Sequence, residues 1–216
     1  MRYFTIGLFA VLFLVFLLNL LLSRNKNGRA TDIDEAFEED RLANSSRKKD
    51  IGDEFFVKPD IKKLPFSEYD VPGRDAEAAS RAAAEVEKLA KLPMIKFSRE
   101  LSNNEIKMMF GAANLEGVTG YEENYSDFTL AMIRWAEALI NMGEYADAAL
   151  VLEETVRMGS DFSKSYTLLA DAYLRTGGRE ALRELFKKVT DEDFMRENRM
   201  LRQTVVSYIE ALLEGT

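Results

Sequence analysis

Gly143 and Gly177 lie 34 residues apart, and the apolar residues around them recur at the same interval. Trp135 aligns with Leu169, Ala136 with Ala170, Leu139 with Tyr173 and Leu152 with Phe186. In both copies an apolar stripe at three- and four-residue spacing stops near the glycine and a second stripe starts just after it, the periodicity of helices and not of strands. Glycine past a helix C-terminus takes the left-handed conformation that larger residues resist. Each glycine therefore predicts a helix–turn–helix hairpin, with Ala136 and Ala148 small where backbones approach and Trp135, Leu139 and Leu152 filling the space beside them. Such hairpins leave an apolar face that only a stacked neighbour can cover.

A 34-residue period with a large residue, a small one, a further large one and a turn glycine resembles the tetratricopeptide repeat. The first copy matches well, with Gly143 in the turn, Tyr145 after it, then Ala148 and Leu152. The second departs from the pattern: its turn reads Thr-Gly-Gly, Arg179 stands at the tyrosine position, and Ala181 comes one residue early, which a shortened turn would explain. The resemblance covers residues 127 to 189.

A two-unit array needs a cap at each end. Thr190 to Asp193 is expected to open a helix running to about Glu214, with Phe194, Leu201, Val205, Tyr208 and Leu212 as a stripe suited to the last unit. Upstream, residues 102–115 are candidates for the first cap, with 75–92 beside them. Residues 75–92 place Ala79, Ala82, Val86 and Leu89 on one face. Ser102 and Glu105 form a capping box ahead of IKMMFGAANL, where Met108 and Met109 are read as core rather than as an adaptable binding face. GVTG and YEENY, residues 117–125, are expected to form a loop.

Residues 3–22 read YFTIGLFAVLFLVFLLNLLL, twenty residues without a charge, long enough to cross a bilayer as a helix. The run is longer than the apolar part of a secretory signal and lacks its small-residue cleavage site. From 24 to 73 the chain turns to charge blocks and three prolines, the composition of a tether, with a short helix expected over Asp32 to Leu42. Within it, 55–69 is too aromatic for a pure linker, and Phe55, Phe56, Ile61 and Phe66 are expected to dock on the folded part. The expected organisation is thus an all-α protein: a transmembrane anchor over 1–23, a largely disordered tether over 24–73, a helical cap region over 74–125, two tetratricopeptide-like repeats over 126–190, and a C-terminal capping helix over 191–216.

Composition narrows function mainly by exclusion. The chain has neither cysteine nor histidine, which removes thiolate chemistry, Cys-ligated metals and the side chain most used for proton transfer near neutral pH. A net charge of −8 disfavours nucleic acid as a partner. No phosphate loop, serine elbow or calcium loop is present, so neither an enzyme nor a bound cofactor, metal or small-molecule substrate is expected.

The resemblance implies a protein-binding scaffold whose partner lies along the first helix of each unit. Carried over, the groove candidates are Leu130, Ile133, Arg134 and Glu137 from the first unit, and Lys164, Thr167, Asp171 and Arg175 from the second. The subgroup that clamps a C-terminal carboxylate uses Lys and Asn where this chain has Ile133 and Glu137, which argues against that ligand. The partners expected are a protein or peptide and, through residues 3–22, the lipid bilayer. The alternative is a self-associating structural component of an envelope or division assembly.

Orientation follows from Arg24, Lys26 and Arg29 after the span against Arg2 before it, which places the bulk of the chain in the cytoplasm. The acids Asp32 to Glu38 pull a net-charge count the other way. A cysteine introduced at Ser46 should stay unlabelled by a membrane-impermeant thiol reagent on intact cells and react after permeabilisation; ready labelling from outside reverses the orientation.

Overall fold

The computed structural model describes residues 35–66, 73–191, 196 and 198–215. The predicted membrane span at 3–22, the first part of the predicted tether and residues 67–69 of its aromatic segment lie outside those residues. Among the described residues the protein is all-helical, with eight α-helices, no strand and no helix long and apolar enough to cross a membrane. The chain divides into two compact units.

The described part of the smaller unit is 35–49 with Ser102–Leu115. Helix α1 covers 35–44, where a short helix is expected within the tether. Helix α3 (Asn103–Phe110) opens on the predicted capping box: Ser102 Oγ accepts from the Glu105 amide at 3.3 Å and Glu105 accepts from the Ser102 amide at 2.8 Å. Lys107 donates to Asn44 at 2.7 Å, and the Lys49 amide donates to the Phe110 carbonyl at 2.9 Å, which ties the two helical segments together. Ile106 and Phe110, one turn apart, take the buried stripe. Met108 and Met109 fall on other faces and are 39% and 40% exposed, which corrects their reading as core.

The larger unit comprises Asp50–Leu101 and the chain from Glu116 onward. It contains α2 (Arg74–Leu89), α4 (Leu115–Met142) from its second residue onward, α5 (Tyr145–Arg157), α6 (Ser163–Arg175), α7 (Arg179–Thr190) and α8 (Arg199–Glu214). Residues 117–125, expected as a loop, are part of α4. Val118 and Tyr125 are buried at helical spacing within that stretch, and this packing outweighs the low helix propensity of Gly117 and Gly120.

Both predicted helix–turn–helix connections form, and their turns share the same closing bonds. Gly143 has φ 84° and Gly177 φ 74°. The Glu144 amide donates to the Leu139 carbonyl at 2.9 Å, and 34 residues later the Gly178 amide donates to the Tyr173 carbonyl at 2.7 Å, the six-to-one closure of a Schellman cap. The second helices start at Tyr145 and Arg179, also 34 residues apart. The second turn is therefore not shortened: Leu182, fully buried, takes the register of Ala148, and Ala181 stands beside it half-buried.

Helix α6 packs against α5, α7 and α8, and α7 also packs on α8. Phe128, Trp135, Leu139, Leu152, Tyr166 and Leu169 are among the fully buried side chains of one continuous core. Helix α8 closes its far end through Leu201, Val205 and Ile209. It runs from Arg199, with the Asn198 side chain accepting from the Leu201 amide at 3.1 Å as its cap; Phe194 of the expected stripe lies outside the described residues.

The near side of the core is covered by α2, which buries Ala76, Ala79, Ala82 and Val86, and by a strap over 53–66 that includes two single 3-10 turns, Asp53–Phe55 and Ile61–Lys63. Phe56 pairs with Ile95 in an isolated antiparallel bridge, and its ring lies 5.6 Å from that of Tyr121. Leu64 is buried, and the Phe66 ring rests 4.9 Å from Trp135. The predicted cap at 102–115 belongs instead to the smaller unit.

Nothing lies within 4 Å of a β-carbon built on Gly143, Gly177 or Gly117, so alanine there tests the backbone alone. Gly143→Ala and Gly177→Ala should each cost about 1–2 kcal/mol in urea unfolding. Gly117→Ala, inside α4, should instead stabilise by up to about 1 kcal/mol.

Candidate functional site

Helices α4 and α6 carry the eight residues expected to face a partner, and most of them already have one within the protein. Arg134 pairs with Glu85 of α2 at 2.9 Å, and Glu137 with Lys164 at 2.6 Å. Asp171 accepts from the Tyr208 hydroxyl of α8 at 2.8 and 2.9 Å. That phenol is pushed up to about 12, first by burial and then by the bond to Asp171, so it remains a donor across the physiological range. Arg175 lies 5.9 Å from the ring centre of Tyr145. Ile133 is 3% exposed, one turn after the equally buried Thr129, and is a core residue that a partner cannot reach. Leu130 is 36% exposed and Thr167 half-buried. The exposed ion pairs are worth only about 0.2–1 kcal/mol each and chiefly fix where their side chains point.

One stripe of α4 runs through Glu122, Ser126, Leu130, Arg134 and Glu137 at successive turns. Toward its N-terminal end this stripe enters a cleft of about 500 Å³, a size ordinary for ligand sites. Residues 95–100 form one wall, Glu122, Tyr125 and Ser126 another, and Asp161 and Asn198 complete it. The segment leading into the first wall is held by the Ile95 amide, which donates to the Tyr121 carbonyl at 3.1 Å, and by the Asn124 side chain, which donates to the Pro93 carbonyl at 2.9 Å.

Lys96 has its side chain only 16% exposed, pairs with Asp161 at 2.6 Å and sits 5.5 Å from the Tyr125 ring centre. The Tyr125 hydroxyl donates to the Met158 carbonyl at 3.3 Å, and burial pushes its pKa well up. Glu122 differs from its neighbours. Its carboxyl is raised above the ordinary value of 4.5, first by burial and then by the charge of Glu100. No local sequence signal marks this cleft, because its walls come from four stretches far apart in the chain. No family model, curated protein or solved structure matches the chain.

The sign of the Glu122 shift fixes a test. The folded protein holds this proton more tightly than the unfolded chain does. The cost of ionising it is therefore fully present above the folded pKa and disappears below about 4.5. Glu122→Gln should raise the melting temperature at pH 7, and the gain should vanish at pH 4. A gain that persisted at pH 4 would assign the effect to shape rather than charge.

Proposed function

We propose that the protein is a membrane-anchored interaction scaffold, tetratricopeptide-like in its hairpins, that holds a protein or peptide partner along the exposed stripe of α4 and α6. The observation that carries this reading is the recurrence of one helix end at Gly143 and Gly177, with the same six-to-one bond and the same start of the following helix. Repetition at that interval is the mark of stacked helical units, which serve as binding surfaces rather than reaction centres. The apolar run over 3–22 supports attachment to a bilayer, and the charges after it support a cytoplasmic location. The chain works without a cofactor in this reading.

The ion pairs across the stripe define its polar rim, and Leu130 gives it an apolar point of contact. Affinity capture from membranes with the full chain should recover a partner that Leu130→Arg loses while the melting temperature stays unchanged. Met200→Arg, on an 83% exposed position at the start of α8, should retain it. An unchanged set with Leu130→Arg removes the stripe as the binding surface. Recovery of further copies of the chain alone would favour self-assembly.

A further inference from the structure

Helix α1 receives little support from the protein itself. Of its described residues only Ala43 is buried, whereas Phe37 is 70% exposed and Leu42 is also open to solvent. A helix this short is marginal in water unless one of its faces is packed. Phe37, Arg41 and Asn44 share a face of α1, and Asn44 is the residue to which Lys107 of α3 donates. Met108 and Met109, the exposed methionines of α3, follow Lys107 directly. The smaller unit thus carries Phe37, Met108 and Met109 in the open on two helices tied together at Lys107.

The place of this unit in the chain says what covers them. The uncharged run ends at Leu22, and α1 is described from Glu35. That interval cannot span more than about 45 Å even when fully extended. A chain anchored through 3–22 therefore keeps the unit beside the bilayer, and a surface held so close needs little intrinsic affinity. Charge does not oppose the contact. The whole chain carries −8, yet the described residues of this unit hold five acids and five lysines or arginines. Arg47 and Lys48, just past α1, are exposed.

We propose that the smaller unit lies on the bilayer surface, with Phe37 inserted at the boundary of headgroups and acyl chains and Met108 and Met109 beside it. Aromatic side chains of surface-lying helices insert at that depth, and methionine adapts to irregular apolar surroundings. The inference rests on the anchored reading of 3–22 and adds a second, reversible attachment to it. Its partner is lipid, so it is independent of the protein partner assigned to the stripe of α4 and α6.

The test uses the full chain in phosphatidylcholine vesicles. Because the protein has no cysteine, Arg41→Cys places a single nitroxide one turn from Phe37 on the same face. Its relaxation by oxygen, which concentrates in lipid, is compared with its relaxation by a water-soluble nickel chelate. The ratio should favour oxygen severalfold more than for a label at Leu150→Cys, an exposed site on α5. Adding Phe37→Ser should bring the Arg41→Cys ratio down to that of the Leu150→Cys label, with flotation and melting temperature unchanged. A ratio equal to that of Leu150→Cys from the start, or one that survives Phe37→Ser, would overturn the proposal. So would shielding from both probes that fades on dilution with lipid, which identifies a second copy as the occupant. Failure of the unlabelled chain to float with the vesicles refutes the anchor and the contact together; flotation with a wet label refutes the contact alone.

Discussion

Taking a carboxylate out of water is costly unless its oxygens are answered, and Glu154 is the place where this chain does so. It is 7% exposed, accepts from the Asp60 amide at 2.6 Å, and accepts from Arg157 through two bonds of 2.6 Å. Arg157 in turn donates to the Lys58 carbonyl at 3.0 Å, and its pKa is raised chiefly by the bond to Glu154. These contacts fasten the strap over 53–66 to the last turns of α5, and through Leu64 and Phe66 the strap closes the near side of the core. The stacking of α5 on α6 and of α6 on α8 presupposes that closure, since a hairpin left open on one side would expose the surface around Trp135.

The polar surface is organised by the same logic on a smaller scale. Glu85, Arg134, Glu137, Lys164, Asp171 and Tyr208 form pairs that step from α2 to α4 to α6 to α8. Each pair is weak, but together they set the orientation of side chains along one face. In the cleft at the other end of the α4 stripe, burial and then the charge of Glu100 raise the Glu122 carboxyl above its ordinary value.

Much of the helical body is legible in the sequence because its signals are local. The capping box at Ser102 and Glu105 and the turn glycines at 143 and 177 each depend on neighbours within six residues, and the structure has them where the sequence puts them. What escapes is decided by distant packing. The helical course of 117–125 depends on burial of Val118 and Tyr125, and the exposure of Met108 and Met109 follows from Ile106 and Phe110 claiming the stripe. The register of Leu182 with Ala148 is set by space in the core, where a large residue is accommodated in place of a small one. Of the predicted site, the face of α4 and α6 is visible as a repeat position, but its internal pairing with α2 and α8 is not. The cleft has no sequence signature at all.

The bond between Asp60 and Glu154 also orders events in time. The two residues are 94 positions apart, so on a ribosome adding about 5–20 residues per second the strap waits roughly 5–20 s for its anchor. The hairpin turns close through contacts only a few residues apart and need no such delay. The strap is the earlier-made and later-seated part, held back until α5 exists to receive it.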